Sequence, residues 1–285
     1  MGLLILDRYL KTQGENLHAL SILDRLSLVG TTGRGALEFR PDNSVVNDAV
    51  SVQFETLASE TEKILNSDIY TGDSIENLYK QGGSPGGARP KIFTIFEGEE
   101  WLVKFRATHD PLNIGQLEYD YSKLAVKCGI EMPETRLFEE KYFAVKRFDR
   151  TLQGKLHVVS VAGLINADYR TPCLDYYGIF QLCQQLTRNM LELWKLYRLM
   201  VFNYLIGNKD DHAKNFSFIF HNNEWHLSPA YDILPSEGIN GFHTTSINDN
   251  INPTKNDLIT VAVKLGLDKN KALTIFDEIY SIINA

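Results

Sequence analysis

The feature that most constrains this fold is the alternation of apolar and polar residues between positions 216 and 229. Every second residue in the first half is phenylalanine, and tryptophan and leucine alternate with polar residues after a short turn. Side chains two residues apart share one face of a strand. A β-hairpin that pairs Phe220 with Trp225 therefore puts the large apolar side chains on one face. This register returns the chain from Asn215 to the neighbourhood of Asp232.

A dense polar run, GNKDDHAKN at residues 207–215, precedes the hairpin and follows a long apolar stretch. The predicted hairpin brings Asp210, Asn215 and Asp232 into one small volume. Phosphoryl transfer needs a carboxylate to accept a hydroxyl proton, and an amide with a second carboxylate to hold Mg²⁺ on the nucleotide phosphates. The run and the hairpin together predict a phosphoryl-transfer site.

Other side chains of the polar run have competing interpretations. His212 is more simply a structural histidine that hydrogen-bonds the loop, with a catalytic role as the alternative. Lys214 is expected to contact a γ-phosphate or the catalytic aspartate, with a plain surface lysine as the alternative. Asp211 is expected to be solvated.

The front half contains a glycine-rich loop, QGGSPGGARP at residues 81–90, followed by a predicted hairpin over residues 91–105. Glycines allow backbone N–H groups to approach phosphates closely, although a flexible linker has the same composition. A register that pairs Phe96 with Trp101, across a turn at residues 97–100, puts Lys104 on an apolar face opposite Phe93. A lysine on such a face must find an anion.

Glu118 is a candidate for that anion, because it lies on the apolar stripe of a predicted amphipathic helix over residues 111–128; a local cap or pair is the alternative. Strands are also predicted at residues 36–39, near 138 and at 142–148, and helices at 175–186, 189–206, 257–265 and 271–283. The pattern indicates an α+β chain with two lobes, a strand-rich lobe at 1–148 and a mostly helical lobe at 149–285.

Composition narrows the class of protein. The 285 residues are 44% hydrophobic and carry a net charge of −7, which argues against direct binding to nucleic-acid phosphates. Three cysteines without a C-x-x-C pair argue against a disulfide framework or a cysteine zinc site. The N-terminus does not have the pattern of a signal peptide, and the most apolar run, at 190–206, contains three charged residues. A soluble cytoplasmic enzyme without a membrane span is expected.

The sequence resembles the HipA-like kinases, the serine/threonine kinase toxins of bacterial toxin–antitoxin systems, whose fold is protein-kinase-like and two-lobed. The matching stretches occur in family order: SILDRLSLVGTTGRGALEFRP (21–41), SPGGARPK (84–91), WLVKF (101–105), FAVKRFDR (143–150), IGNKDDHAKNFS (206–217) and LSPAYDI (227–233). The D-x-H-x-K-N pattern followed by Y-D-I is the most specific of these motifs.

The resemblance implies a role for each matching residue. Asp210 becomes the catalytic base, with His212 and Lys214 beside it, and Asn215 and Asp232 become Mg²⁺ ligands. The ATP-binding residues would be Lys104 with Glu118, the loop residues Gly86, Gly87 and Ala88, and the hinge residues Lys146, Phe148 and Asp149. Ser84 matches a serine that family members phosphorylate themselves.

The implied activity is ATP-dependent phosphorylation of a protein, such as an aminoacyl-tRNA synthetase or another translation factor. Expected partners are a helix-turn-helix antitoxin (HipB-like) and a separately encoded small protein (HipS-like). The small protein would supply a subdomain that full-length members carry before the segment resembling residues 21–41. The alternatives are a small-molecule kinase and a non-catalytic co-repressor that docks a DNA-binding antitoxin.

Overall fold

The computed structural model describes residues 2–44, 54–66, 89–167, 174–238 and 240–285. The chain divides into two compact units. The first comprises Met1–Tyr119 and Glu134–Lys155, and the second comprises Asp120–Pro133 and Leu156–Ala285. The first unit thus extends a few residues past the expected boundary at 148, and residues 120–133 belong to the second unit.

The first unit has a four-stranded antiparallel sheet in the order β1-β2-β4-β3, with helices before it in the chain. Its elements are α1 (Gly2–Thr12), α2 (Ile22–Val29), α3 (Phe54–Asn66), β1 (Lys91–Phe96), β2 (Glu99–Lys104), the start of α4 (Ile114–Lys127), β3 (Thr135–Phe138), β4 (Tyr142–Lys146), β5 (Arg150–Thr151) and β6 (Gly154–Lys155). The strand predicted at 36–39 is wrong, because these residues follow a series of bends without strand pairing.

The β1–β2 hairpin forms, but its predicted register is wrong by two residues. Phe96 pairs with Glu99, and the turn consists of Glu97 and Gly98, both with positive φ (54° and 79°). Two residues of positive φ give the primed turn that matches strand twist. Lys104 therefore lies opposite Lys91 and not Phe93. A shift of two residues keeps every side chain on its predicted face.

Aromatic side chains form much of the first unit's core. Trp101 is fully buried, with its ring centroid 5.5 Å from that of Phe138. Phe105 contacts Tyr142 edge-to-face at 5.4 Å. These pairs join β2 and its end to β3 and β4, and so fix the strand that carries Lys104.

The second unit combines a helical bundle with a three-stranded sheet of order β10-β9-β7. Its elements, after the remainder of α4, are β7 (His157–Ser160), α5 (Val161–Leu164), β8 (Leu174–Asp175), α6 (Tyr176–Thr187), α7 (Met190–Ile206), a 3₁₀ turn (Ala213–Asn215), β9 (Ser217–His221), β10 (Glu224–Leu227), β11 (Thr245–Ser246), α8 (Lys255–Lys264) and α9 (Lys269–Ile283). No helix within the described ranges is long and apolar enough to cross a membrane.

The predicted β9–β10 register is confirmed. Phe220 pairs with Trp225 and Phe218 with Leu227, across a two-residue turn of Asn222 and Asn223 with positive φ. Asparagine tolerates this conformation better than most residues. The turn and the aromatic pairs therefore favour the same register.

Helix α7 leads into the polar run and forms the centre of the second unit's core. Nine of its residues are buried, and it ends at Gly207, whose φ of 69° closes the helix in the left-handed conformation. The polar run that follows therefore begins from a rigid element.

Candidate functional site

Lys104 and Glu118 form a buried ion pair in the first unit. Lys104 is the last residue of β2, and its Nζ lies 3.0 Å from Oε2 of Glu118 on α4. Both side chains are less than a tenth exposed. The expectation that Lys104 meets an anion, and that Glu118 supplies it, is confirmed. Such a pair holds the ammonium group in a fixed position.

Arg89 joins this pair, which the sequence did not predict. One of its nitrogens donates to the second oxygen of Glu118 at 3.1 Å, and two others bind the Asp110 carboxylate at 2.9 and 3.0 Å. Burial raises the pKa of Asp110, but the hydrogen bond from Arg89 and the Ala107 amide outweigh it, so the net pKa is lowered. The cluster therefore favours the charged form of Asp110 beside Arg89.

The predicted hinge residues take part in ion pairs within the first unit. Lys146 pairs with Glu99. The buried Asp149 carboxylate binds Arg147 at 2.8 Å and Arg150 at 2.9 Å, and accepts the Gly35 amide at 2.7 Å. Phe148 is partly buried. The Asp149 side chain thus holds the turn around Gly35.

The loop residues of the predicted nucleotide site, Ser84, Gly86, Gly87 and Ala88, lie outside the described residues.

In the second unit, the Asp210 side chain is 62% exposed at the start of the loop after α7. Its backbone is held firmly, because the amides of Lys209 and Asp210 both donate to Oγ of Ser236, at 2.9 and 2.8 Å. Nδ2 of Asn215 donates to the Asp210 carbonyl at 2.8 Å. An exposed carboxylate on an anchored backbone can meet a substrate hydroxyl without losing its position.

Asp232 is tied to the same loop through its neighbours. The Tyr231 hydroxyl donates to the carbonyl of Lys214 at 2.8 Å and also bonds Ser217. Asn208 donates to the Asp232 carbonyl at 3.4 Å. The structure therefore brings the segments that carry Asp210, Asn215 and Asp232 together, as the hairpin register predicts.

The backbone of Asp232 is left-handed, with φ of 53°. This conformation is uncommon for residues other than glycine, asparagine and aspartate, and it clusters at functional sites.

His212 and Lys214 lie in the 3₁₀ turn between Asp210 and Asn215. Nδ1 of His212 accepts the Lys214 amide at 3.3 Å, so the ring caps the turn, and Nε2 lies 3.8 Å from Oδ1 of Asp210. This geometry favours the structural interpretation of His212. The Lys214 side chain is exposed.

The expectation that Asp211 is solvated is wrong. Its side chain is fully buried, and the amides of Thr244 and Thr245 both donate to Oδ1 at 3.1 Å. Its other oxygen lies 3.0 Å from Nδ1 of His243. The partners lie more than thirty residues along the chain, so local sequence pattern does not reveal them.

The side-chain oxygen atoms of the second unit suit a magnesium ion that is also held by the substrate. Among the described residues no group of three or more His, Cys, Asp or Glu side chains is placed to hold a metal ion alone. Asn215 uses its amide nitrogen on Asp210, so its amide oxygen remains the donor atom for a metal. Together with the Asp232 carboxylate this gives two hard oxygen ligands. Mg²⁺ takes few protein ligands when phosphates and water supply the others.

Known proteins resemble this chain in sequence and in structure. The family model described as HipA-like C-terminal domain matches residues 83–285. A Haemophilus influenzae protein named "Putative kinase" is 27% identical over 184 residues, which are 54% of this chain and 53% of that protein. "Putative kinase Y4dM" of Sinorhizobium fredii is 28% identical over 170 residues, 53% of this chain and 41% of that protein. The match thus spans about half or less of these relatives' length.

A solved structure shows the same fold. It is the Shewanella oneidensis complex of a toxin–antitoxin system containing HipA, HipB and operator DNA. The TM-score is 0.72 at 20% identity, and the match covers 96% of this chain and 72% of that chain.

Proposed function

Because this chain belongs to the HipA-like C-terminal domain family, we propose that it is an ATP-dependent protein kinase that phosphorylates serine or threonine. The observation that carries the proposal is the anchoring of Asp210, Asn215 and Asp232 in adjoining segments by Ser236, Tyr231 and Asn208. Phosphoryl transfer depends on positioned charges more than on covalent chemistry. Two exposed carboxylates and a half-buried amide on a hydrogen-bonded backbone are suited to that task.

Asp210 accepts the proton of the substrate hydroxyl as its oxygen attacks the γ-phosphorus of ATP. The hydroxyl oxygen forms a bond to phosphorus, the bond from phosphorus to the bridging oxygen breaks, and ADP leaves. Lys104 binds the nucleotide phosphates, and Glu118 holds its ammonium group. His212 holds the loop in shape, and Lys214 contacts the γ-phosphate.

Asn215 and Asp232 are the residues that would hold Mg²⁺. When bound, the ion neutralises negative charge on the phosphates. Asp232 contributes a charged oxygen and Asn215 a neutral one.

Two single substitutions test the assignment. Asp210→Asn and Asp232→Ala should each lower phosphate transfer from labelled ATP by at least about a hundredfold, because they remove a base or a metal ligand. Both side chains are exposed, so circular dichroism should change little in either variant. The melting temperature should change little in Asp210→Asn and should fall in Asp232→Ala, because alanine tolerates the left-handed backbone of this position less well than aspartate. Asp268→Asn, which alters a helix-capping carboxylate of α9, is the matched control and should keep wild-type activity. Near-wild-type transfer by either site variant would refute the mechanism.

The biological setting is a toxin–antitoxin system in this proposal, with a HipB-like DNA-binding antitoxin as partner. The fold shared with the HipA of the Shewanella complex supports it. The substrate would be a translation factor such as an aminoacyl-tRNA synthetase, and Ser84 would be the site of self-phosphorylation. The HipS-like partner remains a prediction from the sequence.

Incubating the purified protein with a bacterial lysate and labelled ATP should give one dominant phosphorylated protein besides the kinase. Mass spectrometry should find phospho-Ser84 in the wild type and none in Asp210→Asn. Label that enters only small molecules would favour the small-molecule kinase instead.

A further inference from the structure

The buried side chain of Asp211 lies beneath the loop that carries Asp210. Its carboxylate accepts the amides of Thr244 and Thr245, and its other oxygen lies 3.0 Å from Nδ1 of His243. The Asp211 carbonyl also accepts the hydroxyl of Thr245. Both ends of this residue are therefore fixed to a segment distant in sequence.

The neighbouring residue is fixed to the same segment. The Lys209 carbonyl accepts the amide of Thr244 at 3.1 Å and its hydroxyl at 2.9 Å. Lys209 and Asp211 flank Asp210 on both sides. The Asp210 side chain can remain exposed because backbone groups of Asp210 and of its two neighbours hold the loop in place.

A second group of buried polar side chains lies in the helices. The Tyr176 hydroxyl, at the start of α6, accepts Nδ2 of Asn203 at 3.1 Å. Complete burial raises the pKa of Tyr176 well above its ordinary value, and the charge of Asp211 raises it further.

Asn203 links Tyr176 to the segment that carries Asp232. Its side-chain oxygen accepts Nδ2 of Asn208 at 3.1 Å, and Asn208 in turn donates to the carbonyl of Asp232 at 3.4 Å. Asn203 and Asn208 are both almost fully buried. Buried hydrogen bonds of this kind are costly to break, and each one orients the next.

We infer that Asp211 is a positioning residue that sets the backbone of Asp210 by fixing it to the segment at residues 243–245. The inference rests on the proposed function for its catalytic meaning, but its structural content does not need activity. The segment that carries Asp232 has a buried support of its own in Asn203 and Asn208.

Asp211→Asn is the primary test. The amide keeps the shape of the side chain but puts an NH₂ group where one acceptor oxygen stands. We expect kcat for phosphate transfer to fall about ten- to a hundredfold while the KM for ATP stays within about twofold, because misplacing a base affects the reaction step. Asp257→Asn is the matched control. Its carboxylate accepts bonds from Asn248, Asn250 and Thr254 at the start of α8, and this variant should keep the wild-type kcat.

Hydrogen exchange followed by mass spectrometry gives a second readout that needs no substrate. Peptides covering residues 209–215 and 243–246 should exchange faster in Asp211→Asn than in the wild type, and should be unchanged in Asp257→Asn. Wild-type kcat together with wild-type exchange in Asp211→Asn would overturn the inference, and so would a lowered kcat with no change in exchange at 209–215. If Asp211→Asn does not fold, Thr245→Val, which removes only the hydroxyl bound to the Asp211 carbonyl, decides by the same two measurements.

If the wild type transfers no phosphate to any acceptor, the proposed function fails. The exchange measurement then still decides whether Asp211 holds the segment that carries Asp210.

Discussion

Glu118 stabilises two cations at once in the first unit. Replacement by Gln would leave Lys104 and Arg89 beside a neutral side chain, and Lys104 is almost fully buried. We expect the free energy of unfolding to fall by roughly 3–5 kcal/mol, the usual cost of removing one partner of a buried pair. Urea unfolding measures this change.

Glu62→Gln is the control for that experiment, since Glu62 pairs with Arg106 at 3.4 Å in an exposed position. This substitution should lower the free energy of unfolding by less than about 1 kcal/mol. Equal losses in the two variants would show that burial does not set the strength of the Glu118 interaction.

The Tyr231 hydroxyl is the direct link between the loop containing Lys214 and the residue before Asp232. Tyr231→Phe should lower kcat by about three- to tenfold and the unfolding free energy by about 1 kcal/mol. Tyr197→Phe removes a hydroxyl that donates to the Ala272 carbonyl at 3.4 Å, away from the site. It should lower stability similarly and leave kcat unchanged in a steady-state assay. A lowered kcat in both variants would contradict a specific role of the Tyr231 hydroxyl in the site.

At the scale of elements, the backbone of the β1–β2 turn sets the register of the strand that carries Lys104. Gly98 has φ of 79° and no atom within 4 Å of an added Cβ, so Gly98→Ala tests backbone strain alone. We expect a loss of roughly 1–2 kcal/mol in unfolding free energy. Gly178→Ala, in open space within α6, should instead raise stability by about 0.5–1 kcal/mol. Changes of the same sign, measured by thermal unfolding, would argue against this account.

The two hairpins show what local sequence can and cannot determine. Paired aromatics and an Asn-Asn turn agree on one register for β9 and β10. In the first hairpin a glutamate takes the left-handed position before Gly98. Glutamate is rare there, so the two-residue turn is hard to predict, and the longer turn looks equally reasonable.

At the scale of the whole molecule, local sequence predicts some residues of the candidate site and not others. Asp210, Asn215, Asp232 and the Lys104–Glu118 pair could be predicted, because adjacent strands or one helix face place them. Asp211 could not, since the groups that bind its carboxylate lie at residues 243–245. Contacts over long sequence separations decide whether a polar residue is exposed or buried.

The two units should differ in their sensitivity to acid. Burial raises the pKa of Asp149, but hydrogen bonds and charge from Arg147 and Arg150 outweigh it and lower the net pKa, and Asp110 is lowered similarly. A carboxylate with a lowered pKa stabilises the fold above its unfolded pKa near 4, and this stability is lost as pH falls through the folded value. Among described carboxylates with lowered pKa, these two are the most buried, and both belong to the first unit.

We therefore expect the first unit to unfold before the second as pH falls below about 4. Replacing Trp194 and Trp225 by Phe leaves Trp101, in the first unit, as the sole tryptophan. Its fluorescence should change at a higher pH than the circular dichroism of the whole chain. If the fluorescence and the circular dichroism change at the same pH, the first unit does not unfold before the second and the expectation is wrong.

The left-handed backbone of Asp232 limits how this position can vary during evolution. Glycine fits the conformation but supplies no oxygen, asparagine fits but has no charge, and glutamate has the charge but a disfavoured backbone. If Asp232 holds Mg²⁺ as we propose, no substitute preserves both requirements, and a lineage that loses the aspartate has no neutral intermediate through which to regain function. Descendants that carry asparagine or glycine here would be expected to persist as folded, inactive proteins, kept only where binding a partner is itself useful.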